Sequence, residues 1–352
     1  MSRPEIIGHE RLRALLVRSA DQGRVPPALL FSGPDGVGKK TLALALAERL
    51  LCEGSPDEAR VTGCGTCRHC RRVEQALQGL PSAREAAAGA TDDPTRLSHR
   101  LHPDLLLVEA WRTGIKIDQV REAVKEIAGL PFEAKRRLVL IDDAHLMTEP
   151  AANSLLKSLE EPPASSHVIL VSSAPQSLLP TIRSRCQTLR FGRLPVSLLA
   201  AHLEARHGLS PEEARLRAGL SAGSLGAALA FESGAFREQR EQLLALLGTL
   251  GAGGTVERLE AAERLAEAED PQLALTTLRS LLRDVAVLHA GAPRAVLNAD
   301  VSPRLAELAR GPLGARAAGL AEAVHETRRA LRGNAYKPLT LDLLLERLGG
   351  RA

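Results

Sequence analysis

The string Gly33-Pro34-Asp35-Gly36-Val37-Gly38-Lys39-Lys40-Thr41 constrains this chain more than any other. It follows the apolar, strand-like run Ala28-Leu29-Leu30-Phe31 and opens a helical pattern from Leu42 to Leu51, which is the setting of a phosphate-binding loop. Gly33, Gly36 and Gly38 let backbone N–H groups converge on an anion, the helix N-terminus adds positive dipole, and Lys39 supplies a full charge for the β/γ-phosphates. The alternative is a glycine turn that only joins strand to helix. One position breaks the pattern. A P-loop follows its lysine with Ser or Thr, whose hydroxyl ligates Mg²⁺, and here that place holds Lys40. Thr41 is one residue, about 100° of helix, too far round to replace it. The loop is therefore suited to a phosphate and poorly equipped for the metal, and passive binding of ADP or ATP at Lys39 stays open.

Further runs extend the α/β pattern. Leu105-Leu106-Leu107-Val108, Arg137-Leu138-Val139-Leu140-Ile141 and His167-Val168-Ile169-Leu170-Val171 read as parallel strands buried on both faces, with a last short strand near Gln187 to Phe191. Helical spacing precedes the first strand over residues 5–22. It returns from Ile117 to Leu130, with Asp118 expected at the N-cap, and from Ala151 to Leu159, where Pro162 and Pro163 stop it. Residues 81–100 read as a surface connection with a short helix. Asp142 and Asp143 end the second of these strands, where P-loop NTPases hold the nucleotide's Mg²⁺ and polarise the attacking water; two acids capping the next helix are the plainer reading. Ser172-Ser173, at the tip of the third strand, serve equally as a polar sensor or as ordinary turn residues. Arg183 and Arg185, taken by themselves, read as solvated charge.

Four of the five cysteines, Cys52, Cys64, Cys67 and Cys70, form a C-x11-C-x2-C-x2-C set directly after the P-loop helix. Two-residue spacers let neighbouring thiolates converge on one tetrahedral ion, and four sulfurs with no open position predict a structural Zn²⁺ rather than a catalytic one. Small buried thiols are the alternative. His69, inside the set, is expected in solvent because the cysteines already fill the tetrahedron.

From Gly192 to Pro195 the chain reads as a linker, and beyond it as helices: 196–207, 211–219, 224–231, 236–250, 255–268, 271–290, 301–310, 313–331 and 338–348, with Ser233-Gly234-Ala235 as a break. Aromatic residues make up only 2%, which argues against a surface that stacks single-stranded bases, while a net charge of +4 permits nucleic-acid contact without demanding it. There is no run of 18 apolar residues, and Met1-Ser2-Arg3-Pro4-Glu5 does not begin a signal peptide, so no membrane partner and a cytoplasmic location are expected.

The P-loop, the four-cysteine insertion, the string from Ala151 through Lys157-Ser158-Leu159-Glu160-Glu161 to Pro163 and the trio Ser184-Arg185-Cys186 together resemble the AAA+ clamp-loader family of bacterial DNA polymerase III. The likeness is strongest over roughly residues 5–232, and Gly333-Asn334-Ala335-Tyr336 before a leucine-rich helix is similar to that family's C-terminal collar. It implies an AAA+ P-loop domain with parallel sheet and zinc insertion over 1–192 (zinc module about 52–80), a small helical lid domain over 193–235 and an all-α collar over 236–352. It also implies partners: motor (gamma/tau) and delta subunits in a hetero-pentamer, the sliding clamp, and primer–template DNA. The motor subunit of this family has Thr after the P-loop lysine, Glu after the strand-end Asp, and a Gly-Ser-x-Arg sensor. This chain has Lys40, Asp143 and Gly223-Ser224-Leu225-Gly226, so it resembles the non-hydrolysing stator. The resemblance gives Arg185 the role of an arginine finger completing a neighbour's ATP site in trans, exposed and free of an internal carboxylate, and makes Cys186 a packed residue. An ATP-hydrolysing AAA+ motor, of the clamp loader or helicase-like, is the alternative.

Overall fold

Six strands form one sheet in the order β2-β3-β4-β5-β1-β6: β1 (Ala28–Ser32), β2 (Ser98–His102), β3 (Leu105–Val108), β4 (Arg137–Ile141), β5 (Ser166–Ser172) and β6 (Gln187–Arg190). The computed structural model describes residues 6–57, 59–80, 98–110, 114–249, 271–332 and 336–348. All neighbouring strands pair in parallel except β2 and β3, an antiparallel edge hairpin. The apolar runs explain the burial: alternate residues of each strand enter different cores. Leu29, Phe31, Leu105, Leu107, Leu138, Leu140 and Ile169 pack with α1 (Glu10–Asp21), α2 (Lys39–Leu51) and α3 (Arg68–Gln78). Leu30, Leu106, Val108, Val139, Ile141, Val168 and Leu170 pack with α4 (Ile117–Ala128), α5 (Glu149–Glu160) and α6 (Pro180–Arg185). β1 lies between β5 and β6, and the P-loop leaves its carboxyl end, the usual ligand side of an open α/β sheet.

Two expectations are corrected here. Residues 98–100, read as connection, belong to β2: their side chains alternate around a strand that needs only one partner, β3, so the apolar content is low. The rest of that connection, 81–97, lies outside the described residues. The N-cap of α4 is Lys116, not Asp118, because the Gln119 side chain reaches back to accept from the Lys116 N–H at 2.9 Å; Asp118 sits in the first turn, where its charge still favours the dipole.

Arg49 is buried near the end of α2 and ties this helix to its surroundings. Its guanidinium pairs with Asp21 at 2.7 and 2.9 Å and donates to the carbonyls of Asp57 (3.0 Å) and Arg60 (2.6 Å).

The chain divides into two compact units, Met1–Leu198 with Gly223–Gly226, and Leu199–Ala222 with Ala227–Ala352. The helices of the second unit begin in α7 (Val196–His207), which crosses its boundary, and run through α8 (Pro211–Leu220), α9 (Leu225–Leu229), which crosses the boundary too, α10 (Ser233–Thr249), α11 (Pro271–His289), α12 (Ser302–Arg310), α13 (Pro312–Arg332) and α14 (Lys337–Leu348). Ser233-Gly234-Ala235 is the first turn of α10 rather than a gap before it, and the helix expected at 255–268 lies outside the described residues. Leu275, Leu278, Leu282 and Val285 recur at helical spacing along α11 and lie in the core of this unit.

Candidate functional site

The P-loop is built as its sequence requires. Gly36 (φ 67°) and Gly38 (φ 96°) occupy the left-handed region, and Gly38 is the N-cap of α2. Lys39 is 5% exposed; its Nζ donates to the Pro34 carbonyl at 2.6 Å and lies 3.8 Å from Asp35. Burial lowers its pKa despite the carboxylates of Asp35, Asp143 and Asp142 nearby. Thr41, two residues further along the helix, is half-buried. The segment Gly223–Gly226 lies against the loop: Gly226 N–H donates to the Gly36 carbonyl at 3.0 Å, and a Cβ on Gly226 would stand 3.2 Å from Gly36 Cα. The backbones meet where a side chain would otherwise project.

Lys40 turns the other way. Its ammonium contacts Glu109 Oε1 and lies 3.1 Å from Asp142 Oδ2, so one cation bridges the ends of β3 and β4. Burial alone would lower the Lys40 pKa, but Asp142 and then Glu109 outweigh it and raise it. Burial likewise would raise Glu109, and the His99 hydrogen bond with the Lys40 charge instead brings it down to about 2. Asp143 is in left-handed conformation (φ 46°) and its pKa is raised by burial and by the adjacent Asp142. Ser172 is buried, and its hydroxyl accepts from Ala174 N–H at 3.2 Å, which is turn chemistry; Ser173 Oγ lies 3.4 Å from His145 Nε2. Glu109 was missed in sequence, although an acid following an apolar run beside the Asp142 strand was the available signal.

The structure brings the four predicted cysteines together. Their sulfurs all lie within 4.8 Å of one another, with Cys52 and Cys67 Sγ 4.0 Å apart, and four sulfurs about 2.3 Å from one tetrahedral zinc stand roughly 3.8 Å from each other. Backbone N–H groups of Cys64 and Cys67 point at the sulfurs of Cys52 (3.3 Å) and Cys64 (3.4 Å), which favours thiolate, and a Cβ on Gly54 would stand 2.7 Å from Cys64 Sγ. The donor set thus fits a closed-shell metal such as zinc.

His69 is a correction: it is buried, not solvated. Its place on α3, between Cys67 and Cys70, points it at β2, where its Nδ1 lies 2.7 Å from His102 Nε2. Asp104 N–H donates to His102 Nδ1 at 3.0 Å, so neutral His102 carries its proton on Nε2 and donates to His69. Burial, with the neighbouring His69 ring next in effect, lowers the His102 pKa to about 4, consistent with that neutral form. The pair joins the cysteine module to the sheet.

Arg185 lies exposed at the end of α6, as expected, but its guanidinium is not free of carboxylate. Nη2 lies 2.5 Å from Glu160 Oε1, and Nη1 donates to the Thr181 carbonyl at 3.0 Å. Packing of α5 beside α6 brings the two chain-distant ends together, a proximity that the local sequence did not display. Arg183 is exposed too, whereas Cys186 is buried and its thiol is pushed up to about 12 by burial.

A family model described as DNA polymerase III, delta subunit matches residues 8–79 and 77–195, together more than half of the chain. DNA polymerase III subunit delta' of Escherichia coli (strain K12) is 33% identical over 84% of this chain and 79% of its own length. Subunit delta' of Bacillus subtilis (strain 168) is 33% identical over 68% of the chain and 64% of its own length. Subunit tau of Salmonella typhimurium is 28% identical over 87% of the chain, which spans only 47% of that longer protein. Structure and sequence agree on a P-loop α/β unit with a cysteine module, and the chain belongs to the family of DNA polymerase III delta-prime subunits.

Proposed function

We propose that this chain is the stator of a clamp loader: a subunit that turns over no ATP itself and supplies Arg185 in trans to the ATP site of a neighbouring motor subunit. The observation that carries the first half is the meeting of Gly226 with Gly36. The motor's sensor arginine would stand at residue 226, where this chain has a glycine without a side chain, and even a Cβ there would come within 3.2 Å of Gly36 Cα. Lys40 in place of the metal-binding hydroxyl and Asp143 in place of the water-polarising Glu point the same way. In this reading residues 1–192 are the AAA+ domain, 193–235 the lid and 236–352 the collar; motor (gamma/tau) and delta subunits, the sliding clamp and primer–template DNA are the partners, and the four cysteines hold a structural Zn²⁺ that fixes the module without an open coordination position.

Arg185 supports the second half by its exposure at a helix end. Glu160 refines the role: an ion pair at the surface is weak, and it holds the guanidinium's orientation until a more strongly charged phosphoryl group competes for it. The likeness to tau keeps the motor as a second reading, which isolated-chain ATPase measurements distinguish. A stator shows no turnover above background, and Lys40→Thr does not create it; turnover at ordinary enzyme rates, around one per second or more, would refute the stator. The test of the finger is the DNA- and clamp-stimulated ATPase of complexes reconstituted with Arg185→Ala, after assembly is verified. One site is expected to slow by about 10³-fold or more, with partial rescue by Arg185→Lys and little effect of Arg183→Ala. Unchanged hydrolysis in the Arg185→Ala complex sinks the assignment.

A further inference from the structure

The carboxylates that meet Lys40 are held independently of it. Glu109 Oε2 lies 3.3 Å from His99 Nε2, and the Glu109 carbonyl accepts from Gln119 Nε2 at 2.9 Å. Asp142 Oδ1 accepts from the Asp143 N–H at 3.1 Å, and the Asp142 N–H is fixed to the Val108 carbonyl at 2.9 Å. Two anionic oxygens from neighbouring strand ends therefore converge on one point beside the first turn of α2. Hard oxygen donors oriented by such secondary contacts are the ligand type of Mg²⁺ or Mn²⁺. The point is taken by Lys40 Nζ.

We propose that the Lys40 ammonium is the resident cation of this pocket, occupying the position between Asp142 and Glu109 that a divalent ion would take, so that the chain excludes the ion while conserving the carboxylate geometry that would bind it. An ammonium satisfies the two anions with one charge and no ligand exchange. A divalent cation entering the same point would meet like charge at contact distance, with both oxygens already engaged. Shortening residue 40 removes the occupant and leaves the oxygens in place, which opens a latent divalent site. The idea goes beyond the stator reading and does not need it, since metal alone probes the pocket, without nucleotide or partner subunits.

The experiment is Mn²⁺ titration of the full chain, free Mn²⁺ being read by electron paramagnetic resonance, for the wild type, Lys40→Ser, and Lys40→Ser combined with Asp142→Asn. Any Mn²⁺ held elsewhere is common to all three and subtracts. Lys40→Ser should gain one site at least about 10-fold tighter than any the wild type offers, and the Asp142→Asn combination should lose it. Lys40→Gln, which keeps the length and offers a carbonyl oxygen, is the second variant should the serine protein fail to fold; it should gain the same Asp142-dependent site. A wild type that already binds Mn²⁺ through Asp142 would overturn the proposal. So would folded residue-40 variants that gain no site, or gain one indifferent to Asp142.

Discussion

Two clusters in the first unit gather anionic donors, and they neutralise them in opposite ways. At the strand ends, Glu109 and Asp142 close on a cation that the chain carries on its own helix, Lys40. In the module after α2, four sulfurs converge as a metal requires, and backbone N–H groups and glycines, not a lysine, shape the space. A covalently attached cation makes a pocket whose charge balance is indifferent to metal supply. Four convergent sulfurs, once they hold a metal, would make one whose order depends on it. Both lie along the two ends of the same helix, so the contrast is a local one.

The largest effect should come from the sulfur side. Cys70→Ser removes the buried member of the set, and amides of α3 should exchange at least about 100-fold faster, a local loss of roughly 2.7 kcal/mol, while β1 keeps its protection. Undiminished protection of α3 in hydrogen-exchange mass spectrometry would erase the contrast. Next, Asp142→Asn leaves Lys40 with one carboxylate; with the ammonium side chain 33% exposed, water softens the loss to about 1–2 kcal/mol in a denaturant titration. A loss of several kcal/mol would mean that the pocket is as structurally demanding as the cysteine module.

The smallest effect separates the clusters by pH. Glu109 falls from 4.5 to about 2 on folding, so its contribution is complete above pH 4.5 and disappears as the pH drops toward 2. The wild-type advantage over Glu109→Gln should therefore be constant from pH 7 to 5 and shrink below that. Protons compete with metal for sulfur, so the module should loosen at higher pH than the Lys40 pocket. Coincident acid transitions of α3 and of the Asp142 region in hydrogen exchange would break the distinction.

What sequence revealed follows the range of the forces involved. Strands β1, β3, β4 and β5 were legible because burial on both faces demands unbroken apolar runs, and the cysteine ligands because spacing along the chain itself brings them together. Lys40 was legible as a departure but not as a bridge, since Glu109 is brought to it only by the pairing of β3 with β4. The same limit hid the Glu160 partner of Arg185 and the His102 partner of His69, both supplied by another element. β2 was missed for a different reason: an edge strand with Ser98, His99 and Arg100 lacks the apolar signal that marks the inner ones.

Arg49 sets a limit to how far damage spreads. Because its guanidinium grips the carbonyls of Asp57 and Arg60 from a helix packed in the main core, the chain between Cys52 and the later cysteines is moored at a point that owes nothing to sulfur. Unravelling that begins at Cys64, Cys67 or Cys70 meets this mooring before it reaches α2. A protease acting on metal-stripped protein should thus cut on the C-terminal side of Arg60 and leave behind a nicked molecule whose P-loop remains folded, the guanidinium serving as the hem at which the fabric stops fraying.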